Sequence, residues 1–203
     1  MSRDRLEAFS DAVLAVVITI MVLNLRPPHG DHLADILDEK SAFLAYVLTF
    51  VFVAIYWNNH HHLFQVVDRI SGAVLWANAL LLFCLSLTPV AAAWLGPHLG
   101  DTAPTATYGV VLLCSAIAYG ILVRTLVAAQ PPGSPLEQAV GRDRKGNLSV
   151  VGYVVAIALS PLVPWLSLAL YFAVAAVWLI PDRRIERVLP RDEDVDQPEG
   201  GVM

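Results

Sequence analysis

Hydrophobic residues occur along this chain in six long runs. Short polar segments separate most of them, and only Pro164 separates the last two. The runs cover about Leu6 to Leu25, Ala42 to Trp57, Ile70 to Leu95, Ala106 to Ala129, Leu148 to Val163 and Trp165 to Ile180. Three runs have 20 to 26 residues and three have 16, against the roughly 20 apolar residues with which a helix crosses a bilayer, and none alternates like a barrel strand. The pattern predicts an all-α integral membrane protein with six transmembrane helices over residues 1–182. A charged cytoplasmic tail, expected to be disordered, follows at 183–203.

The lysines and arginines orient these predicted helices. With the N-terminus inside, the inner side receives all 13 basic residues except Arg26 and Lys40. Positive charge accumulates on the cytoplasmic side of membrane proteins, so both termini are predicted to be cytoplasmic. A secretory signal peptide is the alternative for the first run. It is disfavoured because the run continues into Asn24, Leu25 and Arg26 without a small-residue cleavage site.

Composition narrows the possible function classes. Of 203 residues, 57% are hydrophobic and 15% are charged, which leaves little chain for a catalytic domain outside the bilayer. The net charge of −5 argues against a nucleic-acid partner, because phosphate binding needs a basic surface. Cys84 and Cys114 both lie in apolar runs and are expected to pack as small hydrophobic side chains. No cofactor or bound metal is predicted.

Polar residues interrupt the start of the first predicted helix. The helix has to begin near Leu6 to span the bilayer, which places Glu7, Ser10 and Asp11 at the inner interface. They lie either at headgroup level or in a fixed polar cluster. Arg5 and Asp11 are six residues apart and cannot share one helix face, so each is expected to find a partner on a neighbouring helix.

The ends of two other helices are predicted to lie at the same depth. One carries Trp57 to His62 and the other carries Arg124. Three consecutive histidines, His60 to His62, could suggest a metal site. Adjacent helical side chains diverge, however, and no cysteine or carboxylate at ligand spacing accompanies them. A hydrogen bond at the interface is the favoured role for one of them, and plain solvated histidine is the alternative.

Two motifs carry a resemblance to a known family. Arg5, Phe9, Ser10 and Asp11 read R-x-x-x-F-S-D at the start of the first helix, and Trp57, Asn59 and His61 follow the second. Both resemble segments of the transmembrane protein 175 family of potassium channels, and the likeness extends over the whole six-helix layout. The resemblance implies a homotetramer, since only one copy of the motif is present. It also implies that the residues of both segments form a scaffold rather than an ion site.

The first helix has a continuous apolar face. Val16, Thr19, Ile20 and Leu23 recur at the spacing of one helix side, so several copies would form an apolar tube with one ring of hydroxyls. The resemblance implies that this helix lines the pore, with the narrowest ring at Val16. Valine is smaller than the isoleucine or leucine usual at that position in the family. The sequence therefore leaves three candidates for the narrowest ring: Val16, Ile20 and Leu23. Lipid-facing or helix-packing roles for these residues are the alternative.

The expected function is therefore a potassium-permeable cation channel in a prokaryotic cytoplasmic (plasma) membrane. No T-V-G-Y-G filter and no arginine ladder occur, so weak potassium selectivity, permeability to Rb⁺ and Cs⁺ with K⁺ near Thr19, and little voltage gating are predicted. A proton- or cation-coupled transporter using Asp11 is the main alternative. An enzyme is not expected, because no catalytic arrangement lies in any span.

Overall fold

The computed structural model describes residues 2–28, 30, 32–67, 69–140 and 144–179. Within these ranges the chain forms eight α-helices and no strand, which confirms the all-helical class. The helices are α1 (Arg3–Leu23), α2 (Lys40–Gln65), α3 (Gly72–Ser86), α4 (Thr88–Leu95), α5 (Thr102–Ala129), α6 (Pro135–Val140), α7 (Arg144–Leu159) and α8 (Pro164–Leu179). Two short 3₁₀ helices lie at Leu33–Glu39 and Gly96–His98. The predicted tail at 183–203 lies outside the described residues.

Four helical segments in the described ranges are long and apolar enough to cross a membrane. They are Arg3–Leu23, Asp35–Gln65, Gly72–His98 and Thr102–Ala129. The last two apolar helices, α7 and α8, have 16 residues each. At 1.5 Å per residue each reaches about 24 Å, less than the roughly 30 Å of hydrocarbon. The chain is therefore a multi-pass membrane protein, while the count of six spans stays a prediction.

The helix bounds differ from the predicted runs at one end of the helix bundle, where α1 begins and α2 ends. This end of the bundle is called the polar end. Helix α1 starts at Arg3, where the Ser2 hydroxyl accepts a hydrogen bond from the Arg5 amide. Helix α2 continues to Gln65, eight residues beyond the predicted end of its apolar run. The added turns are polar, and their side chains bond to neighbouring helices, so apolarity alone could not reveal them.

The third predicted run is two helices rather than one. Pro89 has no N–H to donate to the carbonyl of Leu85, four residues earlier. The Thr88 hydroxyl donates to that carbonyl instead, at 2.7 Å, and the α-helix is interrupted at Leu87 between α3 and α4. A hydroxyl partner of this kind lets a proline break persist in an apolar environment.

Two apolar clusters hold the bundle together. One joins α1, the second half of α2, α3 and the second half of α5, and the other joins the first halves of α2 and α5 with α4, α7 and α8. Helix α5 takes part in both and packs against α3, α4, α7 and α8. Helix α1 packs against α2, α3 and α4 only along one side. It therefore lies at the edge of the bundle, with its other side uncovered by any described residue.

Candidate functional site

Helix α1 presents two different faces. Its buried face consists of Leu6, Ser10, Leu14, Val17 and Met21, spaced by three or four residues. Its outward face consists of Phe9, Val16, Thr19, Ile20 and Leu23, all exposed. Leu23 is 76% exposed and Leu14 is 3% exposed, although both are leucines of one helix. The periodicity follows from the 3.6-residue repeat, and it places all four predicted pore residues on the uncovered side.

Thr19 is the lone polar side chain among the exposed residues of α1 from Phe9 to Leu23. Its hydroxyl donates to the Ala15 carbonyl one turn earlier, with an oxygen-to-oxygen distance of 2.8 Å. This bond uses the hydroxyl proton inside the helix. The oxygen lone pairs remain available to accept a hydrogen bond or to contact a cation from outside.

At the polar end, two side chains of α1 are bound to α2. The indole Nε1 of Trp57 donates to Asp11 Oδ1 at 3.0 Å, and His61 Nδ1 lies 2.7 Å from Glu7 Oε1. The Trp57 and His61 rings stack with planes 14° apart, so the two contacts support each other. Asp11 is thus held by Trp57, as the fixed-cluster alternative expects.

The proton on His61 can be assigned from its neighbours. The Gln65 amide Nε2 lies 2.9 Å from His61 Nε2. Because an amide nitrogen only donates, His61 Nε2 is the acceptor and Nδ1 carries the proton that is donated to Glu7. A neutral imidazole satisfies both contacts, so this link between α1 and α2 does not require a charged histidine.

A second set of contacts runs through the buried side of α1. The Ser10 hydroxyl donates to the Leu6 carbonyl at 2.9 Å, and Asn78 Nδ2 on α3 donates to the Ser10 oxygen at 2.9 Å. His60 Nε2 on α2 lies 2.8 Å from Asn78 Oδ1, and therefore donates to it. The chain His60–Asn78–Ser10 joins three helices and is almost completely buried. His60 Nδ1 at its end is buried without a partner.

Several predicted scaffold residues lie elsewhere. Asn59 donates to the Ile55 carbonyl of its own helix, and its backbone oxygen accepts from Tyr119 of α5 at 3.4 Å. Phe9 is 53% exposed on the outward face. Arg5 is exposed, and no side chain in the described ranges pairs with it. Arg124 lines a cavity among α2, α5 and α7 rather than reaching α1.

Asn78 was missed from the sequence, although a signal was present. An amide in the middle of the apolar helix α3 is expensive in hydrocarbon unless it has partners, so its position indicates a contact. Each of the three consecutive histidine rings has a different partner: Asn78 for His60, Glu7 for His61, and Gln65 at 3.5 Å for His62. In the described part of the chain, no three histidine, cysteine or carboxylate side chains are placed to hold a metal ion.

Comparison with known proteins gives a consistent result. Residues 5–89 match the family described as endosomal/lysosomal potassium channel TMEM175. A potassium channel of a Chryseobacterium species is 48% identical over 93% of this chain and 98% of its own length. A potassium channel of Chamaesiphon minutus is 28% identical over 84% of this chain and 90% of its own.

A solved structure agrees with these relatives. The crystal structure of a lysosomal potassium-selective channel TMEM175 homologue from Chamaesiphon minutus superimposes with a TM-score of 0.73. It is 26% identical and covers 89% of this chain and 97% of that protein. The sequence likeness to proteins of near-equal length and the shared helical fold point the same way. This chain belongs to the TMEM175 family, whose members are ion channels and not enzymes.

Proposed function

We propose that this chain forms a potassium-permeable cation channel whose pore is lined by the outward face of α1. The observation that carries the proposal is that face itself. Val16, Ile20 and Leu23 are 45–76% exposed in one chain, and Thr19 lies among them. Other copies of α1 around a central axis would cover these residues and leave a narrow tube between them. The resemblance and the near-equal length of the bacterial relatives support one six-helix unit per subunit and a homotetramer.

The gate in this proposal is the apolar wall of the tube. A ring of aliphatic side chains can exclude water when it is narrow, and this stops ions without a moving plug. Leu23 is the most exposed of the three, while Val16 has the smallest side chain. The narrowest ring therefore lies at Val16, Ile20 or Leu23, and widening it would admit water together with an ion.

Thr19 supplies the cation preference. Its hydroxyl proton is bonded to Ala15, so a ring of Thr19 residues would turn oxygen lone pairs towards the axis. A partly hydrated K⁺ fits such a ring better than Na⁺, whose hydration shell is held more tightly. The preference is weak because no ring of backbone carbonyls replaces hydration water, and Rb⁺ and Cs⁺ pass as well. The channel acts in the cytoplasmic membrane of a prokaryotic cell.

The test is K⁺ flux from liposomes containing the purified chain. Val16→Asn and Leu23→Asn should each raise flux by making an apolar ring wettable. Thr19→Ala should lower the ratio of K⁺ to Na⁺ permeability. The matched control is Val151→Asn on α7, because Val151 is 58% exposed and Val16 is 57% exposed. It should leave flux unchanged.

Two results would contradict the proposal. Unchanged flux in Val16→Asn and Leu23→Asn, together with an unchanged permeability ratio in Thr19→Ala, would show that α1 does not line the pore. Slow, saturable flux coupled to protons, abolished by Asp11→Asn, would support the transporter alternative instead of a channel. The homotetramer is checked separately by native mass spectrometry, which should give four times the 22.1 kDa chain mass.

A further inference from the structure

A cavity lies inside the bundle at the polar end, away from α1. Its volume is about 230 Å³, and it is enclosed by α2, α5 and α7 with Trp178 of α8. The walls are mainly aliphatic and aromatic, including Phe52, Ile55, Tyr56 and Tyr153. An apolar cavity of about 150 Å³ already binds benzene in another protein, so this one is large enough for several carbons of a hydrocarbon chain.

The cavity reaches the surface of the bundle between α5 and α7. Ile117 and Ile121 of α5 line it and are 46% and 37% exposed, and the exposed Asn147 lines it from α7. These residues lie in or next to apolar helix segments, so the opening faces the acyl region or the headgroup boundary of a bilayer. A hydrocarbon chain could enter sideways without crossing water.

Positive charge lies at the side of the cavity that is nearest the polar end of the bundle. Arg124 lines it, and Lys145 Nζ lies 5.9 Å from the centre of the Trp178 ring that forms part of its wall. Trp178 is fixed because its indole N–H donates to Ser149 Oγ at 2.7 Å. No aspartate or glutamate is among the residues that line this cavity in the described ranges. The combination is an apolar chamber with a cationic rim.

We propose that this cavity binds an anionic phospholipid, with its phosphate at Arg124 and Lys145 and part of one acyl chain among the aromatic walls. Basic pockets between transmembrane helices are suited to anionic headgroups. A free phosphate would use the rim and leave the apolar chamber empty, whereas a phospholipid uses both. The site lies apart from the outward face of α1, so binding is expected whether or not α1 lines a pore.

The experiment titrates the purified full-length chain in detergent with phosphatidylglycerol brominated on its acyl chains. Bromine quenches nearby tryptophan fluorescence. The portion of the quenching that disappears in Trp178→Phe reports lipid in this cavity. Arg124→Gln should raise the lipid concentration needed for half-maximal quenching about tenfold, the scale of one charge-assisted contact. Arg69→Gln is the matched control, because Arg69 is an exposed arginine at the same end that does not line the cavity. It should leave the titration unchanged.

A second variant tests the acyl chain. Gly120 lines the cavity, and a Cβ placed there meets nothing within 4 Å, so the first carbon of a larger side chain has room there. Gly120→Leu should abolish the Trp178-dependent quenching by filling the chamber, and Gly120→Ala should retain it.

Three outcomes would overturn the proposal. They are equal quenching by brominated phosphatidylcholine, no effect of Gly120→Leu, or full displacement of the brominated lipid by soluble glycerol phosphate at the concentration at which unlabelled lipid displaces it. The last would assign the rim to a free phosphate. Because the readout is binding and not flux, these results are independent of the pore proposal.

Discussion

The two faces of α1 differ in where their partners come from. On the buried face, Ser10 is bonded to Leu6 and Asn78, and Leu14 packs in an apolar cluster of the same chain. On the outward face, Thr19 is bonded only to its own helix, while Val16 and Leu23 remain exposed. The described part of one chain supplies partners for the first face and leaves the second face uncovered.

With the proposed pore, this difference would separate stability from transport on a single helix. Substitutions on the buried face should change the free energy of unfolding of each chain. Substitutions on the outward face should change flux and leave that free energy almost unaltered. The following predictions test the separation, beginning with the largest expected effect.

Leu14→Ala and Leu23→Ala make the most direct contrast. Leu14→Ala should lower the free energy of unfolding by about 3 kcal/mol, because it leaves a cavity in a packed cluster. Leu23→Ala should change it by less than about 0.5 kcal/mol, as for exposed positions. An unfolding titration in mixed micelles measures both, and equal losses would remove the distinction between the faces.

Asn78→Leu removes the link between Ser10 and His60 while nearly preserving volume. It should cost about 2 kcal/mol, because the His60 Nε2 donor is left buried without an acceptor. Asn24→Leu, at the exposed end of α1, is the matched control and should be nearly neutral in the same titration. If the two variants are equally stable, the His60–Asn78–Ser10 chain does not hold α1.

Trp57→Phe should have the smallest effect of the three. It removes the hydrogen bond to Asp11 but keeps an aromatic ring against His61, and should cost about 1 kcal/mol. Trp76→Phe is the control, since Trp76 is 81% exposed. Thermal unfolding followed by circular dichroism should separate the two, and a larger loss in Trp76→Phe would contradict the assignment of Trp57.

Much of this arrangement could be predicted from sequence because it follows from helical periodicity. The apolar runs gave the helical class and the positions of α1, α2 and α5, and the spacing of Val16, Thr19, Ile20 and Leu23 placed them on one face. Those properties are local: they depend on residues three or four positions apart.

Properties set by contacts between distant residues could not be predicted in the same way. The pairing of Glu7 with His61 and the position of Asn78 between Ser10 and His60 depend on how three helices pack. The extension of α2 through its histidines has the same cause. The roles of Arg5 and Phe9 stay predictions, because no described side chain pairs with Arg5 and Phe9 lies on the outward face.

The chain of donors from His60 to Asn78 to Ser10 to Leu6 has a mechanical consequence. Sliding or turning α1 against α2 and α3 by a fraction of a turn would break the Asn78–Ser10 bond together with the contacts of Trp57 with Asp11 and of His61 with Glu7. Near the polar end, these contacts therefore couple a movement of α1 to a movement of α2 and α3. A pore lined by α1 would then widen at Val16, Ile20 or Leu23 when the three helices tilt together, so a force applied to α2 or α3 would reach that ring through α1.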